Sequence, residues 1–142
     1  MNGGETRSFK ARRDELPRAL GFVDEFGARH GVAPADTLRL TLVVEELFTN
    51  TVVHGHGGDS DAALRIELGV GDVHLRLYFE DEAPPFDPLR HLAETAPELD
   101  RPAAEREAGG LGLPLVARMS ERFDYARIGG CNRLSLLIRR ED

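Results

Sequence analysis

Lysine is almost missing from this chain: of its 18 basic residues only Lys10 is a lysine. That scarcity excludes a Walker-type phosphate loop, which needs a Gly-rich turn ending in Lys-Ser or Lys-Thr. Basic charge as a whole is outnumbered, with 18 Lys and Arg against 25 Asp and Glu, a formal charge of −7 and an isoelectric point near 5.2. A binder of nucleic acid or of a membrane surface needs a basic patch, so the composition argues against both. There is one cysteine, Cys131, which excludes an internal disulfide and suits a reducing cytosol; a small apolar filler is its plain role. Long apolar runs are absent too. Met1 to Lys10 is polar, and nothing approaches the length of a signal peptide or a membrane span, so a cytoplasmic protein is expected.

What is present suffices for one core. The chain has 142 residues, 41% of them apolar, with no internal repeat. This reads as a single domain, 1–142, of a size that buries roughly 70% of its unfolded surface. Arg7 to Ala11 is expected as a short first strand. Asp14 to His30 reads as a helix with Pro17 in its first turn and Gly31 beyond its end. A second helix is expected from Pro34 to His54. After a Gly/Asp loop, Leu64, Ile66, Leu68 and Val70 alternate at the strand period. Gly71-Asp72 is read as a hairpin turn, with Val73, Leu75, Leu77 and Phe79 on the returning strand. A third helix covers Leu113 to Ser120. A last hairpin joins Phe123–Ile128 to Arg133–Arg140 through Gly129-Gly130-Cys131-Asn132. The order predicts an α+β layer pair, helices on one side of a mainly antiparallel sheet.

Three places carry chemistry. On the second helix Glu46, Asn50 and His54 stand four apart and share one strip, at the edge of the apolar arc of Leu40, Val43, Val44, Leu47 and Thr51. Each alone is an ordinary exposed helix residue. Asp81 ends a strand, where a turn-forming aspartate is commonplace. Between Asp81 and Gly112 five prolines punctuate a stretch far longer than ordinary loops, with a short helix expected around Asp87 to Thr95; such lengths belong to lids, binding segments or insertions. It ends in Gly109-Gly110-Leu111-Gly112-Leu113 just before a helix, where glycines admit a close ligand and unpaired N–H groups face an anion.

Taken in order, Glu46 to Asn50, then Asp81-Glu82-Ala83-Pro84-Pro85-Phe86, then Gly109-Gly110-Leu111-Gly112, the chain resembles the GHKL ATPase and kinase superfamily. Within it, from about Arg7 to Arg140, it is similar to the RsbW-type anti-sigma-factor serine kinases. The resemblance implies a two-layer α/β sandwich of Bergerat type, with helices on one face of a mainly antiparallel mixed sheet and a lid at about 83–108. It implies ATP and Mg²⁺ as cofactors, with Asn50 as the metal ligand and Glu46 as the catalytic base; Glu45 is the neighbouring alternative. It implies that Asp81 accepts from the adenine amino group, with Ala83 and Phe86 beside it, and that Gly109, Gly110, Leu111, Gly112 and Leu113 form the phosphate site. Arg101 or Arg106 would be lid contacts, or plain solvated charges. The implied partners are a sigma factor, which is sequestered, and an anti-anti-sigma antagonist, phosphorylated on Ser or Thr. Bacterial transcription regulation follows, without direct nucleic-acid or membrane contact, and homodimer formation stays open.

Two departures bear on activity. Ala83 stands where relatives usually have glycine close to the base, and Pro85 stands at a further glycine position, removing an N–H. They favour the alternative of a non-catalytic protein-binding module with weak or no ATP turnover; the intact Glu46 and Asn50 pair opposes it. A sensor histidine kinase is disfavoured, because no dimerisation segment with a phosphoacceptor histidine precedes the domain. His54 is assigned to packing or support, and His54-Gly55-His56 lacks further ligands for zinc.

Overall fold

The computed structural model describes residues 3–95 and 112–141. The aliphatic alternation forms β2 (Ala63–Val70) and β3 (His74–Asp81), paired antiparallel from Leu64↔Asp81 to Val70↔Leu75. Their reversal centres on Asp72 and Val73, closed by the Gly71 N–H donating to the His74 carbonyl at 2.9 Å. The turn is one position later than Gly71-Asp72. The register sets Leu75, Leu77 and Phe79 opposite Val70, Leu68 and Ile66, and leaves Val73 outside the strand and exposed.

The first strand, β1 (Gly3–Lys10), is longer than Arg7–Ala11 and pairs antiparallel along the whole of β2. Its inward positions Glu5 and Arg7 are polar, so the strand period carries no apolar signal there. Each instead pairs with the covering helix: Glu5 with Arg29 at 2.6 Å, beside a hydrogen bond to His30 at the helix end at 2.8 Å, and Arg7 with Glu25 at 3.2 Å. Arg29 and His30 hold the Glu5 carboxyl below the usual carboxylate range, the Arg29 hydrogen bond most of all.

A 3₁₀ turn at Arg13–Glu15 leads into α1 (Leu16–Arg29), with Pro17 in its opening turn where a missing N–H costs nothing. The next helix, α2 (Pro34–Asn50), lies beside it. Phe22, Val23 and Phe26 of α1 and Leu40, Val43, Val44, Leu47 and Phe48 of α2 are buried with the inward residues of the sheet in one cluster. Each such side chain contributes about 1.5–3 kcal/mol on burial. The helix does not run on to His54 in α form. Thr51–Gly55 is a π-helical turn, in which the His56 N–H donates to the Thr51 carbonyl five residues back at 2.9 Å. The strip of residues four apart therefore holds from Glu46 to Asn50 and breaks before His54.

Two short helices, α3 (Pro88–Thr95) and α4 (Gly112–Met119), follow β3. The closing hairpin is β4 (Arg122–Ile128) with β5 (Cys131–Arg139). Its turn is only Gly129-Gly130, both at positive φ (57° and 79°), as a two-residue hairpin requires. Cys131 and Asn132, expected in the turn, are thereby part of β5. The five strands lie in the order β1-β2-β3-β5-β4, and every described pairing is antiparallel. This is the α+β, two-layer arrangement of helices on one face of the sheet. Among the described residues no helix is long and apolar enough to cross a membrane.

Candidate functional site

At one end of the sheet, Asp81 of β3 stands directly opposite Asn132 of β5, and both are almost wholly buried. The Asp81 carboxylate accepts the Ala83 N–H at 2.8 Å and the Asn132 Nδ2 at 3.2 Å on Oδ1. Oδ2 has Thr51 Oγ1 at 3.5 Å, a long contact from the first residue of the π turn. The turn after Asp81 is held from the other side: Asn132 Nδ2 reaches the Pro84 carbonyl at 3.0 Å, and Arg127 of β4 donates to the Ala83 carbonyl at 2.7 Å. Phe86 donates its N–H to Asn132 Oδ1 at 3.1 Å, and its ring stacks on His54 with centroids 6.4 Å apart. Asp87 then caps α3, accepting the Leu89 N–H at 2.9 Å.

The Ala83 methyl is fully enclosed, and a Cβ on Gly55 would come within 3.4 Å of it. It fills space against the π turn.

The second group lies on the last turn of α2. Asn50 is 6% exposed, and its Oδ1 has no hydrogen-bond partner among the described residues. A buried amide oxygen left unpaired is costly, commonly about 1–3 kcal/mol, and such an atom calls for a cation or donor. One turn earlier, the half-buried Glu46 carboxyl is pushed above its ordinary value, by burial first and by neighbouring Glu45 second. The Glu46 carboxylate occupies the place that a Cβ on Gly112, the first residue of α4, would take. Only glycine admits that approach. Leu113 is buried in the core cluster, which leaves its side chain to packing, and Pro114 has no N–H to offer.

Glu46, Asn50, Asp81, Ala83 and Phe86 thus gather around the α2 end, the π turn and the start of α4. Gly109, Gly110 and Leu111, with Arg101 and Arg106, lie outside the described residues. Sequence reasoning missed Thr51 as a partner of Asp81, placed Asn132 in the closing turn without a role in the site, and gave none to Tyr125 and Arg127 of β4. The two-residue Gly129-Gly130 turn would have turned Asn132 inward, but its partner across β3 depends on a register between distant strands. A cavity of about 720 Å³ lies at the opposite end of β3, lined by Asp36, Asp72, Val73 and Arg140 among others. It holds none of this chemistry.

A Mg²⁺–nucleotide group fits the donor set by three observations: the orphaned Asn50 oxygen, the half-satisfied buried Asp81 carboxylate, and the Cβ-free start of α4. Residues 9–138 match the family described as Histidine kinase-like ATPase domain. The serine/threonine-protein kinase BtrW of Bordetella bronchiseptica is 30% identical over 118 residues, covering 83% of this chain and 81% of that protein. The catalytic domain of histidine kinase ThkA shares the fold, with a TM-score of 0.52 at 16% identity, over 96% of this chain and 97% of that one.

Proposed function

The chain belongs to the histidine kinase-like ATPase family, and from that premise we propose that it is a serine/threonine protein kinase of the anti-sigma-factor type. In this reading it binds ATP with Mg²⁺, sequesters a sigma factor in the cytoplasm, and phosphorylates an anti-anti-sigma antagonist on Ser or Thr. Residues 1–142 act as one nucleotide-binding domain with a lid at about 83–108. The likeness to BtrW, a serine/threonine-protein kinase by name, supports the choice of acceptor.

The observation that carries the reading is the placement of Glu46, a half-buried carboxylate of raised pKa, against Gly112 and one turn from the unpaired Asn50 oxygen. Asn50 would hold the Mg²⁺, a hard cation suited to an oxygen ligand. When bound, Mg²⁺–ATP supplies the transferable γ-phosphoryl group. Glu46 orients the acceptor hydroxyl and takes its proton; burial raises its affinity for that proton toward the working pH, as a base requires. The Gly112 and Leu113 backbone, at the positive end of α4, would take the phosphates in place of a lysine. Asp81 accepts from the amino group of the base. The test is Mg²⁺-dependent ATP binding by the purified chain, followed by phosphoryl transfer to a co-purifying antagonist. Absence of binding removes the reading, and binding without transfer leaves only sigma-factor capture.

A further inference from the structure

Asn132 is 3% exposed, yet both ends of its amide are fully engaged. Its oxygen accepts from the Tyr125 hydroxyl at 2.6 Å, the Phe86 N–H at 3.1 Å and Arg127 Nη1 at 3.2 Å. Its nitrogen donates toward Asp81 Oδ1 at 3.2 Å and the carbonyls of Pro84 at 3.0 Å and Ala83 at 3.3 Å. With three donors converging on one side and three acceptors on the other, the amide has a single allowed orientation; reversed, its NH₂ would face donors only. That orientation decides the state of Asp81. Oδ1 is filled by Ala83 and Asn132, while Oδ2 has only the 3.5 Å approach of Thr51 among the described residues.

We propose that Asn132 is a positioning residue for base selectivity: by saturating Asp81 Oδ1 it presents Oδ2 as the single free acceptor, so that the site takes a 6-amino purine and rejects a 6-oxo purine. The inference rests on the nucleotide-binding reading above and adds the source of its selectivity. An amino group donates to Oδ2, whereas an oxo group would set a lone pair against a buried carboxylate oxygen and leave both unsatisfied. Tyr125 and Arg127 act one step further out, by preventing the amide from turning over. Neither Asn132 nor Tyr125 is asked to touch the phosphates, and this separates their role from general support of the fold.

The experiment is calorimetric titration of the whole chain with Mg²⁺–ATP, Mg²⁺–GTP and Mg²⁺–tripolyphosphate, for the native sequence and for Asn132→Leu, Asn132→Thr and Tyr125→Phe. The native chain should prefer ATP over GTP by at least about a hundredfold. Asn132→Leu should cut that ratio by about tenfold or more through weaker ATP binding, with tripolyphosphate affinity unchanged. Tyr125→Phe, which loses only the 2.6 Å hydrogen bond, should lower the ratio less. Asn132→Thr, which keeps one donor, should retain much of it, and with Tyr125→Phe it carries the test if Asn132→Leu does not fold. An unchanged ATP-to-GTP ratio, or equal losses for ATP, GTP and tripolyphosphate, would overturn the proposal while leaving nucleotide binding intact. A native chain that binds none of the three would overturn the nucleotide reading itself, and this inference with it.

Discussion

The Glu46 carboxylate lies on Gly112, at the point that the Cβ of any other residue would claim. Glycine at the start of α4 is therefore a condition for the position of the carboxylate one helix away. In Gly112→Ala the added methyl meets the far end of a flexible side chain, so Glu46 swings aside at small cost to the fold. The expected result is a melting temperature close to that of the native chain and phosphoryl transfer reduced at least about tenfold, the scale of a misplaced catalytic group. Parallel thermal melts and transfer assays check it; a large loss of stability with transfer per folded molecule preserved would show that the contact serves packing alone.

Glu46→Gln tests the same carboxylate by charge. Transfer should fall roughly a hundredfold or more while ATP affinity changes little, because the amide keeps size and reach but takes no proton. Sigma-factor capture, read by pull-down, should survive. Stability offers a separate readout. Burial raises the Glu46 pKa above its ordinary 4.5, so the folded chain binds this proton more tightly than the unfolded chain does. Its contribution to stability is complete below the unfolded pKa and is lost as pH rises through the higher folded value. The glutamine variant should thus melt higher than the native chain at neutral pH, and the difference should vanish as the pH falls below about 4.5. Melts across that window decide it, and a constant difference at all pH values would disprove the linkage.

Asn50→Ala removes a buried oxygen that has no hydrogen-bond partner among the described residues, so the apo fold should lose little stability. Mg²⁺–ATP binding should weaken by at least about tenfold, near 1.4 kcal/mol, as expected for the loss of an ordered ligand. Calorimetry on both forms, repeated with excess chelator, makes the comparison. Equal affinities in all four titrations would take Asn50 out of the site.

For α3, the Asp87 cap and the Phe86 N–H bond to Asn132 tie the start of the helix to the Asp81 end of the sheet. Its amides, from Leu89 to Thr95, should gain protection from hydrogen exchange when Mg²⁺–ATP is added, because a closing lid buries backbone. Exchange that stays the same at saturating nucleotide would assign this stretch to a partner surface instead.

Local chemistry was legible where a residue's neighbours in sequence set its surroundings. The β2 and β3 alternation, the Pro17 helix start and the Glu46–Asn50 spacing all have this character, and they located the carboxylate and amide on one turn of α2. The ion pairs that replace apolar contacts at Glu5 and Arg7 hid the first half of β1, since a salt-bridged inward face carries no hydrophobic period. The widened turn at Thr51–Gly55 lies against Ala83 and Asp81, contacts that the helix pattern does not encode. Asn132 was illegible for a related reason. Its importance arises from facing Asp81 across two strands separated by some fifty residues of chain.

The π turn also sets a rule for comparing this chain with its relatives. Five residues there occupy a span that a regular helix would fill with fewer, so everything from Thr51 onward is rotated relative to Glu46 and Asn50. A relative whose helix continues without the widening would need one residue less before its loop to present the same side chains to Asp81 and Phe86. Column-by-column matching beyond Asn50 would then pair His54 with a neighbour of its true counterpart, and a swap of this segment between two such proteins should respect helical phase before residue identity.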